Sequence, residues 1–224
     1  MPQTERACVL MFSGGRDSTL AALRLSKEST SLTLVTVTSD HLVGVDAVRR
    51  RLLELRPHLA SDTTWLRVAQ PVNILTDESS YARTCLPCHH AYVAVGVRVA
   101  RERGIRTLAF GYAGYQSSWP EQTPYAIERL SAALSKVNVD LVLPVYDVRR
   151  KEDALEELSS QGLSIAALEQ KCLRQITNVA LDGRTLRREI ERWENALSTM
   201  LPNLEQIPLR IHERYVLGSL QSDN

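Results

Sequence analysis

Short apolar or β-branched runs alternate with helix-patterned stretches five times along the first 162 positions, and this alternation restricts the fold of the 224-residue chain more than any other feature. Residues 7–12 form an apolar run ending in Ser13-Gly14-Gly15. The stretch from Asp17 carries Leu20, Leu23 and Leu25 among alanines, which reads as strand, tight turn and helix. Residues 32–38 alternate and are β-branched, a second strand closed by Ser39-Asp40-His41, and a helix over 45–59 ends around Pro57. A third strand is expected over 65–72, followed by a polar, aperiodic stretch over 73–87 that reads as a functional loop. A helix over 90–103, capped by Gly104, leads to a fourth strand over 107–110 that ends at Gly111. After an irregular stretch over 112–124 come a helix over 125–136, a fifth strand over 139–143 stopped at Pro144, and a helix over 151–160 ended by Gly162. Such an order implies an α/β fold: a five-stranded parallel sheet flanked by helices, with ligand sites at the carboxyl ends of the strands. The expected units are an α/β domain over 1–162 and a small helical C-terminal segment over 163–224, helical through 186–200 and irregular beyond.

Composition excludes several classes. With 44% hydrophobic and 24% charged residues the chain is neither disordered nor fibrous. The longest apolar runs, 7–12 and 139–145, are too short to span a bilayer, and residues 1–7 include no basic segment leading into an apolar one. A cytoplasmic protein with no membrane partner is the expectation. Twenty-seven basic against 26 acidic residues, a net charge of +1, lack the global positive field of most nucleic-acid binders. Arg49, Arg50, Arg51 and Arg56, then Arg98, Arg101, Arg103 and Arg106, form two basic helix stretches that either contact RNA phosphates or, as such residues more often do, make a solvated helix face.

Ser13-Gly14-Gly15-Arg16-Asp17-Ser18 sits where the first strand hands over to a helix. Glycines there let backbone approach an anion, while N–H groups and the helix dipole hold it, and Asp17 or Ser18 can cap the helix. The string SGGxDS after an apolar strand resembles the PP-loop of the ATP pyrophosphatases, the adenine nucleotide α-hydrolase superfamily, whose architecture is Rossmann-like. The resemblance implies that ATP is cleaved between its α and β phosphates, with pyrophosphate held at Ser13, Gly14, Gly15, Arg16, Asp17 and Ser18. Mg²⁺ accompanies the polyphosphate, the adenylyl group passes to a carbonyl-type oxygen, and a nucleophile then expels AMP. It also places Thr38 near the adenosine, Gly111 at the glycine that closes the fourth strand, and Lys151 at a phosphate-contacting lysine.

Four cysteines, Cys8, Cys85, Cys88 and Cys172, do not form a disulfide framework in a chain of this size and compartment. Cys8 lies in the first strand and is core. Cys85-Leu86-Pro87-Cys88 precedes the helix to the fourth strand, with His89 and His90 next, and a CxxC pair grips a metal or forms a redox dithiol. A zinc site would draw on His89, His90 or Cys172. Cys172 falls 84 positions after Cys88, beyond the fifth strand. This layout is similar to that of PP-loop tRNA-thiolation enzymes carrying a three-cysteine [4Fe-4S] cluster, here Cys85, Cys88 and Cys172. A related group uses two cysteines, at the positions of Cys88 and Cys172, as persulfide carrier and partner. The implied catalytic residues are Cys88, Cys172 and Asp17.

Where those enzymes carry a His and paired acids, this chain has Gly111-Tyr112-Ala113-Gly114-Tyr115-Gln116-Ser117-Ser118. That stretch is closer to PP-loop enzymes that make the nitrile of a deazaguanine base, although their C-terminal zinc cysteines are missing. Tyr112, Tyr115, Trp119 and Tyr125 either stack a flat base or cover the core. His41, His58 and His212 show no ligand spacing. The leading reading is an ATP-dependent sulfurtransferase, acting on a small or carrier-bound substrate with tRNA as the alternative, and fed by a cysteine desulfurase or sulfide. A nitrogen-transferring ligase with zinc on the cysteines and a non-catalytic nucleotide or redox sensor are the alternatives. The tail after Met200 could pack against a second copy in a homodimer.

Overall fold

A computed structural model of the chain describes residues 7–28, 31–71, 84–174 and 179–219. The five expected strands are all there and all parallel: β1 (Ala7–Met11), β2 (Ser31–Thr38), β4 (Thr64–Ala69), β5 (Thr107–Phe110) and β6 (Asp140–Val142). The sheet has a sixth member, β8 (Ile211–Val216), which pairs antiparallel with β4 and makes the order β6-β5-β1-β2-β4-β8. The expected five-stranded parallel sheet is therefore corrected to a mixed six-stranded one. A two-stranded ribbon joins β3 (Leu42–Val43) to β7 (Lys171–Cys172).

Alternation within β1 explains how the sheet is covered on both faces. Cys8, Leu10 and Phe12 enter one apolar core and Val9 and Met11 the other, as a side-chain period of two requires. The first core takes Leu20 and Leu23 of α1 (Arg16–Ser26), Leu52 of α2 (Val45–Leu55) and Leu158 of α5 (Lys151–Ser160). The second takes Val93 and Val97 of α3 (Leu86–Glu102), Leu130 of α4 (Pro124–Ser135) and Trp193 and Leu197 of α6 (Gly183–Met200). Residues beyond 162 thus complete both the sheet and its second core. Asp182 caps α6 by accepting the N–H groups of Arg184 and Thr185, which starts the helix three residues before its apolar pattern does.

Two boundaries move for reasons that bear on the site. The helix expected from 90 begins at Leu86, because Pro87 fits the first helical turn, where an N–H is not needed. Cys88 therefore lies inside the first turn of α3 rather than before it, with Cys85 at the N-cap. The third strand ends at Ala69, and residue 72 of the expected strand and residues 73–83 of the expected functional loop lie outside the described residues. From β1 the chain winds through β2 to β4 on one side, then crosses to β5 and β6 on the other. This reversal opens a crevice beyond the carboxyl ends of β1 and β5, the place where such sheets bind ligands.

Candidate active site

The loop from β1 to α1 occupies that crevice. Gly14 has φ +80°, and a Cβ there would stand 2.8 Å from the Leu168 carbonyl oxygen. Gly15 is the N-cap of α1, and no side chain caps the helix. The expected cap by Asp17 or Ser18 is not made: the Ser18 hydroxyl lies 3.2 Å from the Gly15 carbonyl and 3.1 Å from Ser13 Oγ, and Ser13 Oγ accepts the Gly15 N–H. The positive end of the helix is left to face the crevice. Asp17 turns to the Tyr115 hydroxyl, which donates to its Oδ1 at 2.5 Å. Burial pushes the Asp17 carboxyl above the usual range, against the pull of that hydrogen bond and of Arg16. Gly111 closes β5 against this turn, since a Cβ on it would meet Ser18 Cα and N at 2.7 Å.

The crevice is a cleft of about 340 Å³ lined by Ser13, Gly15, Arg16, Asp17, Ser18 and Gly111 of the expected nucleotide set. Val35, Thr36 and Val37 of β2 form one wall, and Tyr92, Phe110, Tyr112 and Trp119 an aromatic one. Gly14 sits in the loop behind the lining. Thr38 lies at the end of β2 with its hydroxyl turned to the Val68 carbonyl, and Lys151 is exposed at the first turn of α5; neither lines the cleft.

Cys85, Cys88 and Cys172 do not line this cleft, but His89, next after Cys88, and Leu42, the strand partner of Cys172, do. Cys172 in β7 faces Leu42 of β3, and the Leu173 N–H donates to the His41 carbonyl at 2.8 Å. His41 in turn brings Nε2 to 3.7 Å from Cys88 Sγ. His41 is thus part of the site, although its spacing marked it as ordinary. Burial, with the charges of Glu121, Cys88 and Cys172 added, raises the Cys85 thiol to about 12. Cys85, Cys88 and Cys172 therefore share one electrostatic neighbourhood, with Tyr92 in the same field. Among the described residues, however, no three His, Cys, Asp or Glu side chains are arranged to hold a metal ion. The donors are the right kind for zinc or an iron–sulfur cluster, but their arrangement does not fit either group. His90 is buried outside the cleft lining, with burial lowering its pKa to about 4. Cys8 is core, as expected.

Several residues were misread or escaped the sequence reading. Arg51, expected on a solvated helix face, is instead fully buried and donates to the carbonyls of Ser164 at 2.9 Å and Ala166 at 2.6 Å, while its Nε reaches the Gly14 carbonyl at 3.4 Å. Its position was a signal, because Val48, Arg51, Leu52 and Leu55 form one buried helical stripe. Glu169 lines the cleft with Oε2 3.2 Å from where a Gly15 Cβ would stand, and Gln170 donates to the Val37 carbonyl at 2.8 Å. On the aromatic wall His89 Nδ1 lies 2.7 Å from the Tyr112 hydroxyl, and Nε2 lies 3.6 Å from the buried Glu121 carboxylate. Burial lowers the His89 pKa. No spacing rule connects positions 89, 112 and 121.

No family model matches the sequence, and no curated protein matches it. Solved structures do. The U34-tRNA thiolase NcsA from Methanococcus maripaludis with its [4Fe-4S] cluster superposes with a TM-score of 0.55 at 16% identity, over 90% of this chain and 72% of that one. A 4-thiouridine synthetase in complex with RNA and bound ATP superposes with a TM-score of 0.63 at 17% identity, over 94% of this chain and 56% of that one. The chain thus spans little more than half of the synthetase. At such identities the likeness is one of architecture: the chain shares the fold of these two structures.

Proposed function

We propose that the chain is an ATP-dependent sulfurtransferase. The observation that carries this reading is that an uncapped, glycine-turned phosphate loop lines a cleft together with His89, next after Cys88, and Leu42, the strand partner of Cys172. Ser13, Gly15 and the N-terminal N–H groups of α1 bind the β and γ phosphates of ATP. The Asp17 carboxylate would hold a Mg²⁺ ion, which would offset the charge that develops on the departing pyrophosphate. A carbonyl-type oxygen of the substrate takes the adenylyl group, which turns a poor leaving group into AMP.

Sulfur then arrives on a chain thiol. A persulfide on Cys88, loaded by a cysteine desulfurase or another sulfane donor, attacks the activated carbon with its terminal sulfur and expels AMP. Cys172 thiolate next attacks Cys88 Sγ, which forms a Cys88–Cys172 disulfide and releases the thiocarbonyl product. An external thiol reductant supplies the two electrons that reset the pair. Cys85, its thiol raised to about 12, has no part as a nucleophile here. A second reading, in which Cys85, Cys88 and Cys172 would ligate a [4Fe-4S] cluster like that of the thiolase of similar fold, would need these side chains to rearrange, since among the described residues they are not arranged to hold a metal ion. The substrate in either case is a small or carrier-bound molecule, or a tRNA, the nucleic acid that the name of the thiolase prints.

The test is anaerobic purification with iron, acid-labile sulfide and zinc analysis, followed by turnover with ATP, bulk tRNA or small substrates, and a persulfide donor. Cys172→Ser should still release AMP and pyrophosphate in a first turnover and yield no free thiolated product. Near-stoichiometric iron and sulfide lost in that variant selects the cluster. Product formed with ammonia in place of sulfur overturns the reading in favour of a nitrogen ligase, and failure to form AMP and pyrophosphate at all leaves a nucleotide sensor.

A further inference from the structure

Two glutamines of the cleft lining, Gln116 and the buried Gln122, are joined amide to amide. The Ala113 N–H donates to Gln122 Oε1 at 3.0 Å, and Gln122 Nε2 donates to Gln116 Oε1 at 3.1 Å. A backbone N–H can only donate, so the oxygen of the Gln122 amide is fixed on it and the nitrogen is fixed on Gln116. The oxygen of Gln116 is fixed in turn, and its NH₂ group is the end left over. Turning either amide over would set one N–H against another. The segment that carries the pair is itself pinned: the Tyr146 hydroxyl donates to the Gln122 carbonyl at 2.9 Å, and the Tyr115 N–H to the Val148 carbonyl at 3.1 Å. The Tyr115 hydroxyl on Asp17 ties the residue before Gln116 to the first turn of α1, and Gln116 lines the cleft together with Arg16, Asp17 and Ser18.

We propose that Gln116 is a fixed hydrogen-bond donor to a phosphate oxygen of the bound nucleotide, and that Gln122 is what keeps it a donor. The uncapped N-terminus of α1 and the Arg16 side chain favour an anion at this end of the cleft. A free glutamine offers its oxygen as readily as its nitrogen, and an amide oxygen turned to a phosphate repels it. The chain of hydrogen bonds from Ala113 excludes that orientation before the ligand arrives, so the donor needs no reordering on binding. The choice of a phosphate as the ligand rests on the ATP-dependent reading above, whereas the orientation of the two amides does not. Gln116 touches the ligand, and Gln122 is a positioning residue.

Titration calorimetry of the full chain with Mg²⁺-ATP, pyrophosphate and AMP reads the donor without turnover, at about pH 8, where an introduced glutamate is ionised. Gln116→Met keeps the length of the side chain and should bind Mg²⁺-ATP about tenfold more weakly than wild type, the ratio of one hydrogen bond to a charged oxygen. A matching loss with pyrophosphate puts the contact on the leaving phosphates, and a matching loss with AMP puts it on the α phosphate. Gln122→Glu keeps an oxygen for the Ala113 N–H but sets a second oxygen against Gln116, whose amide must then turn and present its own oxygen to the cleft. That variant should bind Mg²⁺-ATP at least about tenfold more weakly than wild type. In the Gln116→Met background the same substitution should weaken binding by about fivefold less, the coupling expected of two residues in contact. A residue that merely supported the fold would weaken binding equally in both backgrounds.

Equal affinity of wild type and Gln116→Met for Mg²⁺-ATP overturns the donor, and a Gln122→Glu effect that is the same with and without the amide at 116 overturns the positioning role. A wild type that binds none of the three probes overturns this proposal together with the ATP-dependent reading. A chain that binds ATP and transfers no sulfur leaves every one of these affinities as it was, so the two readings fall separately.

Discussion

A methyl group added to Gly111 would stand 2.7 Å from Ser18 Cα and N, both backbone atoms at the start of α1. Gly111→Ala should therefore push the phosphate loop away from β5. A loss of about 2 kcal/mol in urea unfolding is expected for such overpacking, with ATP affinity reduced at least about tenfold by displacement of the loop. An unchanged urea midpoint together with wild-type ATP binding would remove Gly111 from the site. Asp17 makes a different prediction at the same scale. Burial raises its carboxyl pKa in the folded protein, so the folded state binds the proton more tightly than the unfolded chain does. The stability this group contributes is full below the unfolded pKa of about 3.9 and falls as pH rises through the folded value. Asp17→Asn, which still offers Tyr115 an acceptor, should melt higher than wild type at pH 7, and the difference should shrink toward pH 4. A gap that widens on acidification would contradict the burial argument. The loop residues were legible because they are consecutive and their chemistry depends on a turn. Glu121, His89 and Tyr112 were not, since only tertiary folding brings three separate segments together.

At the scale of elements, residues 163–173 form a strap across the carboxyl edge of the sheet. Arg51 holds it at Ser164 and Ala166, Gln170 holds it to β2, and Cys172 pairs with Leu42. The same arginine reaches the Gly14 carbonyl, so a single buried guanidinium ties the phosphate loop to the segment that carries Cys172. Arg51→Met removes the charge-assisted hydrogen bonds to Gly14, Ser164, Ala166 and Glu54 and should reduce stability by about 3 kcal/mol. Hydrogen exchange should rise at least about tenfold over 164–172, well above any change in β1 or β5. Uniform acceleration through the sheet would mean that Arg51 supports the whole fold and not the strap. Helices and inner strands could be read from apolar periodicity, because both faces of the sheet are covered. β8 could not: His212, Glu213 and Arg214 give it a polar centre, and it is an edge strand with most residues exposed. What holds it is tertiary, namely Arg49 and Arg67 on the Glu213 carboxylate and Tyr215 stacked on Trp65 at 5.7 Å.

For the molecule as a whole, the reversal of strand order places the β1–α1 loop and the aromatic wall around one opening, with Cys88 and Cys172 each beside a residue that lines it, yet on different supports. The loop hangs on β1 and α1, Cys88 on α3, and Cys172 on the strap. Binding of nucleotide and chemistry of sulfur should therefore separate under mutation. Mg²⁺-ATP at a hundred times its dissociation constant adds about 2.7 kcal/mol to folding, which for a chain of this length raises the melting temperature by about 5 to 10 °C. Gly14→Ala should abolish that rise, because its φ of +80° and the Leu168 carbonyl leave no room for a side chain. Cys172→Ser should keep the rise in full, since its contacts to β3 run through the backbone. Differential scanning calorimetry of the three proteins, with and without Mg²⁺-ATP, decides the matter. If Cys172→Ser loses the nucleotide response as completely as Gly14→Ala does, the strap belongs to the nucleotide site itself, and ATP cannot bind until the thiol segment is in place.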